Sequence, residues 1–208
     1  MAGLAHAEVI DQFSDQLWRL NNLYWITDKD GKRTKFELNW AQSDLMGSLH
    51  YLNLILKARQ LGFTTFIQLY MLDCCVFYPD TKAGVIAHTR DDAEVIFQDK
   101  IKYPYDNLPD QIRAQAPIKR DNTRMLELAN NSAIRVGTSL RGGTLQYLHV
   151  SEFGKICAKY PEKAREIVTG ALNTIEAGQM AWIESTAEGQ EGRFYEMCEA
   201  AQSKERLE

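Results

Sequence analysis

The chain has 208 residues, of which 45% are hydrophobic, and its formal net charge is −4. This length and apolar content predict one domain with a well-buried core. The slightly acidic balance excludes a large basic field, so this chain alone is not expected to grip DNA strongly. Its apolar runs fall short of the roughly 20 residues that cross a bilayer, so no membrane association is expected.

Targeting and metal-binding patterns are not indicated. The N-terminal MAGLAHAEVIDQF has acids and no basic flank, unlike a signal peptide. The four cysteines show no CxxC spacing, and the four histidines are scattered without the spacing of metal ligands. We therefore expect reduced core thiols in a cytosolic protein.

The first part of the chain is predicted to contain a helix, a β-hairpin and a second helix. The segment DKDGK is a turn signal between two alternating segments, and this combination is typical of a hairpin. The predicted ranges are 6–22 for the first helix, 23–38 for the hairpin and 41–50 for the second helix.

From residue 52 onward, apolar strands alternate with helices. The predicted strands are 52–57, 83–88, 124–128, 133–136, 146–150 and 180–184, and the predicted helices are 64–77, 91–100, 161–175 and 192–202. This alternation predicts an α/β fold with a mostly parallel central sheet flanked by helices on both faces. Ligands of such sheets bind at the loops that follow the strands, so these loops are the candidates for chemistry.

The loop after the first of these strands, KARQLGFT over 57–64, has the layout of a phosphate-binding loop. When Gly62 is set as the second glycine of G-x-x-x-x-G-K-[ST], Thr64 takes the position of the hydroxyl that ligates Mg²⁺. Phe63 then stands where such loops carry lysine, and the long side chain of either Lys57 or Arg59 could reach the phosphates instead. The residues predicted to bind ATP here are Lys57, Ala58, Arg59, Gln60, Leu61, Gly62, Phe63, Thr64 and Thr65.

Two later strands also end in polar residues. TLQYLHVSEF predicts a buried strand followed by Glu152, which is placed to activate a water molecule, while Ser151 takes the position of the usual Mg²⁺-associated aspartate. Ser151 could therefore hold Mg²⁺ only weakly, through a water. MAWIESTAEG ends in Glu184, Ser185 and Thr186, a predicted coupling group whose two small hydroxyl residues, Ser185 and Thr186, are of the kind that sense a γ-phosphate.

Together these motifs resemble those of the ATPase domain of the large terminase subunit of tailed bacteriophages. LKARQLGFTT resembles the deviant phosphate loop of that family, in which lysine is often missing after the second glycine. YLHVSEF is similar to its acidic strand, IESTAEG to its coupling motif, and FELNWAQ to its adenine motif, in which Gln42 would bind the adenine edge. The resemblance covers about residues 36–195.

The resemblance implies a P-loop NTPase of the ASCE/RecA-like class that uses ATP and Mg²⁺. It divides the chain into an N-terminal helix and hairpin extension over 1–35 and an ATPase domain over 36–208, and it implies that the family's C-terminal nuclease domain is absent from this chain. Arg141 would be an arginine finger that reaches the ATP of a neighbouring subunit.

The same resemblance implies a motor that moves double-stranded DNA into a procapsid. Its implied partners are double-stranded DNA, the portal protein, the small terminase subunit and further copies in a homo-oligomeric ring, in the host cell cytoplasm. Two alternatives remain at this stage: a pseudo-ATPase or other nucleotide-binding structural module, and a helicase-like DNA translocase. The lysine missing at Phe63 and the aspartate missing at Ser151 both favour the first alternative slightly.

Overall fold

A computed structural model of the chain describes residues 12–140, 144–172 and 178–203. Its N-terminal elements are α1 (Gln16–Leu23), β1 (Trp25–Thr27), β2 (Arg33–Lys35) and α2 (Trp40–Gly47). The strands β1 and β2 pair antiparallel, so the predicted hairpin is confirmed. Its turn is closed by Asp28, whose side chain accepts hydrogen bonds from the backbone N–H groups of Asp30 and Lys32.

A seven-stranded sheet forms the centre of the molecule. Its strands are β3 (Leu52–Leu56), β4 (Lys82–Ile86), β5 (Ile118–Asn122), β6 (Met125–Leu128), β7 (Ala133–Gly137), β8 (Tyr147–Ser151) and β9 (Met180–Ser185). The spatial order is β3-β9-β8-β4-β7-β6-β5. The strands from β3 to β7 in this order run parallel, and β6 and β5 continue the sheet antiparallel. The predicted mostly parallel sheet is therefore confirmed.

The helices of this region cover both faces of the sheet. They are α3 (Phe63–Phe77), α4 (Arg90–Phe97), α5 (Tyr103–Asp106), α6 (Asp110–Gln115), α7 (Phe153–Lys159), α8 (Pro161–Glu166) and α9 (Arg193–Ser203). On β9, Trp182 belongs to the same core cluster as α3, whereas Ala181 and Ile183 belong to a second cluster with α7, α8 and α9. Because neighbouring side chains of a strand point to opposite faces, the sheet is buried on both sides.

An ion pair buried in the larger core ties α1 to α3. Arg19 donates to both carboxylate oxygens of Asp73, with Nη2 2.7 Å from Oδ2, and the Tyr24 hydroxyl donates to Oδ1 at 2.9 Å. The side chains of Arg19 and Asp73 are 2% and 0% exposed.

Among the described residues, no helix has the length and apolar character that a membrane span requires.

Several elements differ from the sequence-based expectation. The segments α5, α6, β5 and α7 were not predicted, and the predicted helix over 161–175 is α8 followed by a π-helical turn at Ile167–Ala171. Every residue of β5 is exposed, so its sequence lacks the alternation that reveals a half-buried strand. Residues 6–11 and 173–175 of the predicted helices lie outside the described residues.

Candidate functional site

The parallel strands bring the predicted loops together at one edge of the sheet. β9 lies between β3 and β8, and its register pairs Leu56 with Ser185 and Ser151 with Glu184. The loop after β3 and the residues around Ser151 and Glu184 therefore meet where the three strands end. This is the edge at which open α/β sheets bind ligands.

The loop over 57–62 is shaped by two left-handed backbone positions. Gln60 has φ +66° and Gly62 has φ +73°, and Gly62 is the residue from which the 15-residue helix α3 begins. The N-terminal end of α3 thus faces the loop with free backbone N–H groups and a positive dipole. Such an end is a ready site for an anion such as phosphate.

The adenine-motif segment packs directly against this loop. Gln42 and Asn39 form a capping box at the start of α2, and Gln42 Nε2 also donates to the Gly62 carbonyl oxygen at 2.9 Å. Asn39 Nδ2 donates to the Leu61 carbonyl oxygen at 3.1 Å. Gln42 is 3% exposed, so the structure gives it a bracing contact to the loop, and its contact with adenine stays a prediction.

Lys57 brings a cation into the site from the end of β3. Its Nζ lies 2.5 Å from Glu184 Oε2 and 3.2 Å from Glu152 Oε1, and its side chain is 10% exposed. Phe63, at the position where phosphate loops carry lysine, is buried in the larger core instead. Ala58, Arg59 and Gln60 are exposed, whereas Leu61, Thr64 and Thr65 are half-buried.

Glu184 is the centre of the polar cluster. It is fully buried, and its Oε1 accepts hydrogen bonds from the hydroxyls of Thr64 and Ser151, both at 2.9 Å. Burial opposes its ionisation, but the His149 ring and the Lys57 ammonium outweigh that effect and hold the pKa of Glu184 at about 2. The carboxylate is therefore charged at neutral pH.

Two members of this cluster were not predicted from the sequence. His149 is fully buried on β8, with Nε2 3.4 Å from Glu184 Oε1, and its Nδ1 lies 2.5 Å from Gln68 Nε2. Gln68 follows Thr64 by one turn of α3, and His149 precedes Ser151 by two residues on β8. These spacings place Gln68 on the same face of α3 as Thr64, and His149 on the same face of β8 as Ser151. A search of the sequence for polar residues at these spacings could have identified Gln68 and His149.

Glu152 lies at the mouth of the cluster in a left-handed conformation, with φ +54°. Its carboxylate contacts Lys57, as given above, and Lys155 Nζ at 3.0 Å. Its side chain is 24% exposed, so water reaches it, unlike Glu184. A non-glycine residue in this backbone region costs about 1–3 kcal/mol, a strain that is common at functional sites.

The end of β9 connects the loop to Glu152. The Ser185 carbonyl oxygen accepts a hydrogen bond from the Lys57 backbone N–H at 3.0 Å, and the Thr186 hydroxyl lies 3.5 Å from Glu152 Oε2. Ser185 is fully buried beside Gly154, where an added Cβ would lie 2.8 Å from Ser185 Oγ. Arg141 lies outside the described residues.

A cleft opens beside this cluster between the ends of β4 and β8. Its walls include Thr64, His88, Asp92, Ser151, Glu152 and Lys155. Within the described ranges, no group of three or more His, Cys, Asp or Glu side chains could hold a metal ion by itself. The available donors are hydroxyl and carboxylate oxygens, which suit Mg²⁺ when phosphate and water complete its shell.

Three solved structures that resemble this chain come from the large terminases of bacteriophages. The ATPase domain of the Thermus phage P74-26 large terminase, solved as an arginine-to-alanine mutant, superposes with a TM-score of 0.64 and 20% identity over 77% of this chain and 69% of its own. A second structure of that domain has a TM-score of 0.57 and 19% identity, with the same coverage. The HK97 bacteriophage large terminase has a TM-score of 0.71 and 15% identity over 92% of this chain.

The chain has the fold of a phage large terminase ATPase domain. This confirms the resemblance seen in the sequence at the level of the fold. The chain spans 42% of the HK97 large terminase. No protein-family model matches the chain, and no curated protein is significantly similar in sequence.

Proposed function

We propose that this chain is the ATPase module of a viral DNA-packaging motor. The observation that carries the proposal is the meeting of Lys57 and Glu152 beside the N-terminus of α3, with Nζ and Oε1 3.2 Å apart. A cation, a carboxylate and a helix N-terminus at one sheet edge are the parts that phosphoryl transfer needs.

In this proposal the 57–64 loop holds the phosphates of ATP. The backbone N–H groups of 60–64 would cradle them, since Gly62 turns the chain so that α3 begins at the loop. Lys57 would leave its two carboxylates and pair with phosphate oxygens. Its position supports this role more than the exposed side chain of Arg59 does.

Glu152 is the proposed group that orients the attacking water and accepts its proton. It combines a charged neighbour, Lys57, with access to solvent, and it lines the cleft next to Thr64. General-base catalysis of this kind contributes about 10²–10⁴ in rate. Lys155, on the other side of the carboxylate, would fix its orientation.

Thr64 and Ser151 are the hydroxyls that would face Mg²⁺. They fit the ion because both are oxygen donors held on a single carboxylate oxygen, which leaves their lone pairs free for a cation. When bound, Mg²⁺ neutralises charge on the phosphates during transfer. The protein's part is to hold both hydroxyls in place.

The proposed coupling element is Glu184, Ser185 and Thr186 at the end of β9. Ser185 is hydrogen-bonded to the Lys57 backbone, and Thr186 approaches Glu152. A shift of Lys57 or Glu152 on nucleotide binding would therefore displace the end of β9. Arg141 is proposed to complete the site of a neighbouring copy, as in the sequence-based hypothesis.

The wider setting of this proposal comes from the terminase resemblance. Copies of the chain, within the whole protein, would form a homo-oligomeric ring that moves double-stranded DNA with the portal protein and the small terminase subunit in the host cytoplasm. Because the net charge is −4, the proposed contact with DNA would be made through a local patch or the assembly rather than through a general basic surface.

The test is ATP turnover by the purified chain and by its Glu152→Gln variant, with nucleotide binding measured by calorimetry. We expect the variant to bind nucleotide and to lose about 100-fold or more in turnover. Glu162→Gln is the matched control, since it removes an exposed carboxylate on α8. An equal rate in Glu152→Gln would remove Glu152 from the proposed role.

The same assay separates the ATPase from a nucleotide-binding structural module. Binding without turnover at any protein concentration would favour the structural module, which Ser151 already suggests. Turnover that rises more steeply than protein concentration would favour an ATPase completed by a neighbouring copy.

A further inference from the structure

We propose that Glu184, on β9, takes over the role of the Mg²⁺-associated carboxylate that is missing from β8, where Ser151 stands in its place. This inference rests on the proposed ATPase function and deepens it. The carboxylate would hold the Thr64 and Ser151 hydroxyls and face the divalent cation that accompanies the nucleotide. It is a positioning residue, distinct from Glu152, which faces water.

The sheet register makes this exchange of positions possible. Ser151 and Glu184 are direct partners across the parallel strands β8 and β9. A carboxylate moved from one to the other therefore stays at the same level of the sheet and shifts by one strand spacing, about 4.8 Å. The longer glutamate side chain offsets part of that shift relative to aspartate.

The hydrogen bonds show what the carboxylate already holds. Its Oε1 accepts from Thr64 on α3 and from Ser151 on β8, each at 2.9 Å. A hydroxyl that donates a hydrogen bond to a carboxylate presents only lone pairs in other directions. Both hydroxyls are thus prepared to accept a cation, whereas a hydroxyl free to rotate would have to be fixed on binding.

Charge compensation gives a second and independent argument. Glu184 is fully buried, and its Oε2 faces Lys57 Nζ at 2.5 Å. If Lys57 moves to the phosphates, Glu184 loses its closest cation inside the protein. A buried charge that loses its partner is strongly destabilising. A divalent cation that arrives with the nucleotide would replace Lys57 as the compensating charge.

Among the described residues, Lys57 is the only lysine or arginine in an ion pair with Glu184. His149 Nε2 lies 3.4 Å from Oε1, and its Nδ1 faces Gln68 Nε2 at 2.5 Å. Lys155 contacts Glu152 rather than Glu184.

The experiment measures Mn²⁺ binding by electron paramagnetic resonance in the presence of ADP, and ADP binding by calorimetry with and without metal. The variants are Glu184→Gln, Glu184→Asp, the relocated pair Ser151→Asp/Glu184→Gln, and Glu162→Gln as a control. Thermal unfolding of each variant checks that it is folded. These readouts do not depend on turnover.

We expect Glu184→Gln to weaken Mn²⁺ binding by about 10–100-fold. ADP without metal should bind this variant as well as the original or better, because no unpaired carboxylate is left behind when Lys57 moves. Ser151→Asp/Glu184→Gln should recover most of the Mn²⁺ affinity, and Glu184→Asp should retain part of it. A purely structural role would lower ADP binding equally with and without metal.

Two outcomes overturn the inference in distinguishable ways. Mn²⁺ affinity within about twofold of the original in a folded Glu184→Gln chain, with ADP still bound, would overturn the role of Glu184 alone and leave the ATPase proposal intact. Absence of any ADP binding by the original chain would overturn the ATPase proposal and this inference with it. If Glu184→Gln does not fold, Glu184→Asp and an additional Ser151→Ala variant decide the matter. A partial loss of Mn²⁺ affinity in folded Glu184→Asp supports the inference, whereas unchanged Mn²⁺ affinity in both variants overturns it.

Discussion

The amide of Gln42 occupies the space that a side chain at position 62 would need. A Cβ added to Gly62 would lie 2.6 Å from Gln42 Nε2, and the same nitrogen donates to the Gly62 carbonyl oxygen at 2.9 Å. The glycine is thus required both for its left-handed φ of +73° and for the close approach of α2. The loop and the adenine-motif segment form one packed unit.

Gly62→Ala is therefore expected to damage the site by two effects. The left-handed backbone costs an alanine about 1–2 kcal/mol, and displacement of Gln42 adds to that cost. Nucleotide affinity, measured by calorimetry, should fall by about tenfold or more. Gly31→Ala is the matched control, since Gly31 also has a positive φ of +77° but nothing within 4 Å of an added Cβ. Equal effects of the two variants on nucleotide binding would contradict the bracing role of Gln42.

Lys57→Ala and Arg59→Ala separate the two candidate cations. Because a hydrogen bond to a charged group contributes about 1.5–3 kcal/mol, Lys57→Ala should weaken nucleotide binding by about 10–100-fold. Arg59 is exposed, and its replacement should change affinity by less than about threefold. Titration calorimetry of both variants under identical conditions decides the matter, and the opposite ranking would assign the phosphate cation to Arg59.

The buried pair between α1 and α3 predicts a non-additive effect on stability. Arg19→Met leaves the carboxylate of Asp73 buried without its cation, although the Tyr24 hydroxyl still donates to it, and this should lower the free energy of unfolding by about 3–5 kcal/mol. Adding Asp73→Leu removes the stranded charge and should recover much of that loss. Urea unfolding of both single variants and the double variant completes the cycle, and additive losses would show that the pair is not coupled.

The four cysteines are expected to be poorly reactive in the folded chain. Burial raises the pKa of Cys74 to about 11 and the pKa of Cys75 well above its usual range, so little thiolate forms at neutral pH. Burial also raises the pKa of the half-buried Cys157 and Cys198 thiols. Labelling by iodoacetamide, followed by mass spectrometry, should reach Cys157 and Cys198 first and the other two only in urea. Rapid native labelling of Cys74 would contradict the packing of α3.

The sequence predicted the sheet and the positions of its loops because apolar strands and helix-start signals are local features. It located Lys57, Ser151, Glu152 and Glu184 at strand ends for the same reason. Which of these groups touch depends on strand order, and β9 enters between β3 and β8 although it follows both in the chain. The pairing of Lys57 with Glu184, which are far apart in the sequence, could therefore not be predicted from spacing.

Residues that act inside the core were hidden for a different reason. His149 and Gln68 lie in runs of apolar residues, where a single polar side chain has many possible partners. β5 was hidden because all five of its residues are exposed at the edge of the sheet. The charges of Lys119, Arg120 and Asp121 on that edge strand also discourage pairing with another sheet.

The place of β3 in the sheet has a consequence for how the chain folds. In the sheet of the described residues β3 is an edge strand, and its neighbour is β9, where Leu52 pairs with Ala181. A ribosome would have to release nearly all of this chain before the loop after β3 could find its support, and closing so long a loop is slow. An incompletely synthesised chain that lacks β9 would therefore not present a finished phosphate pocket.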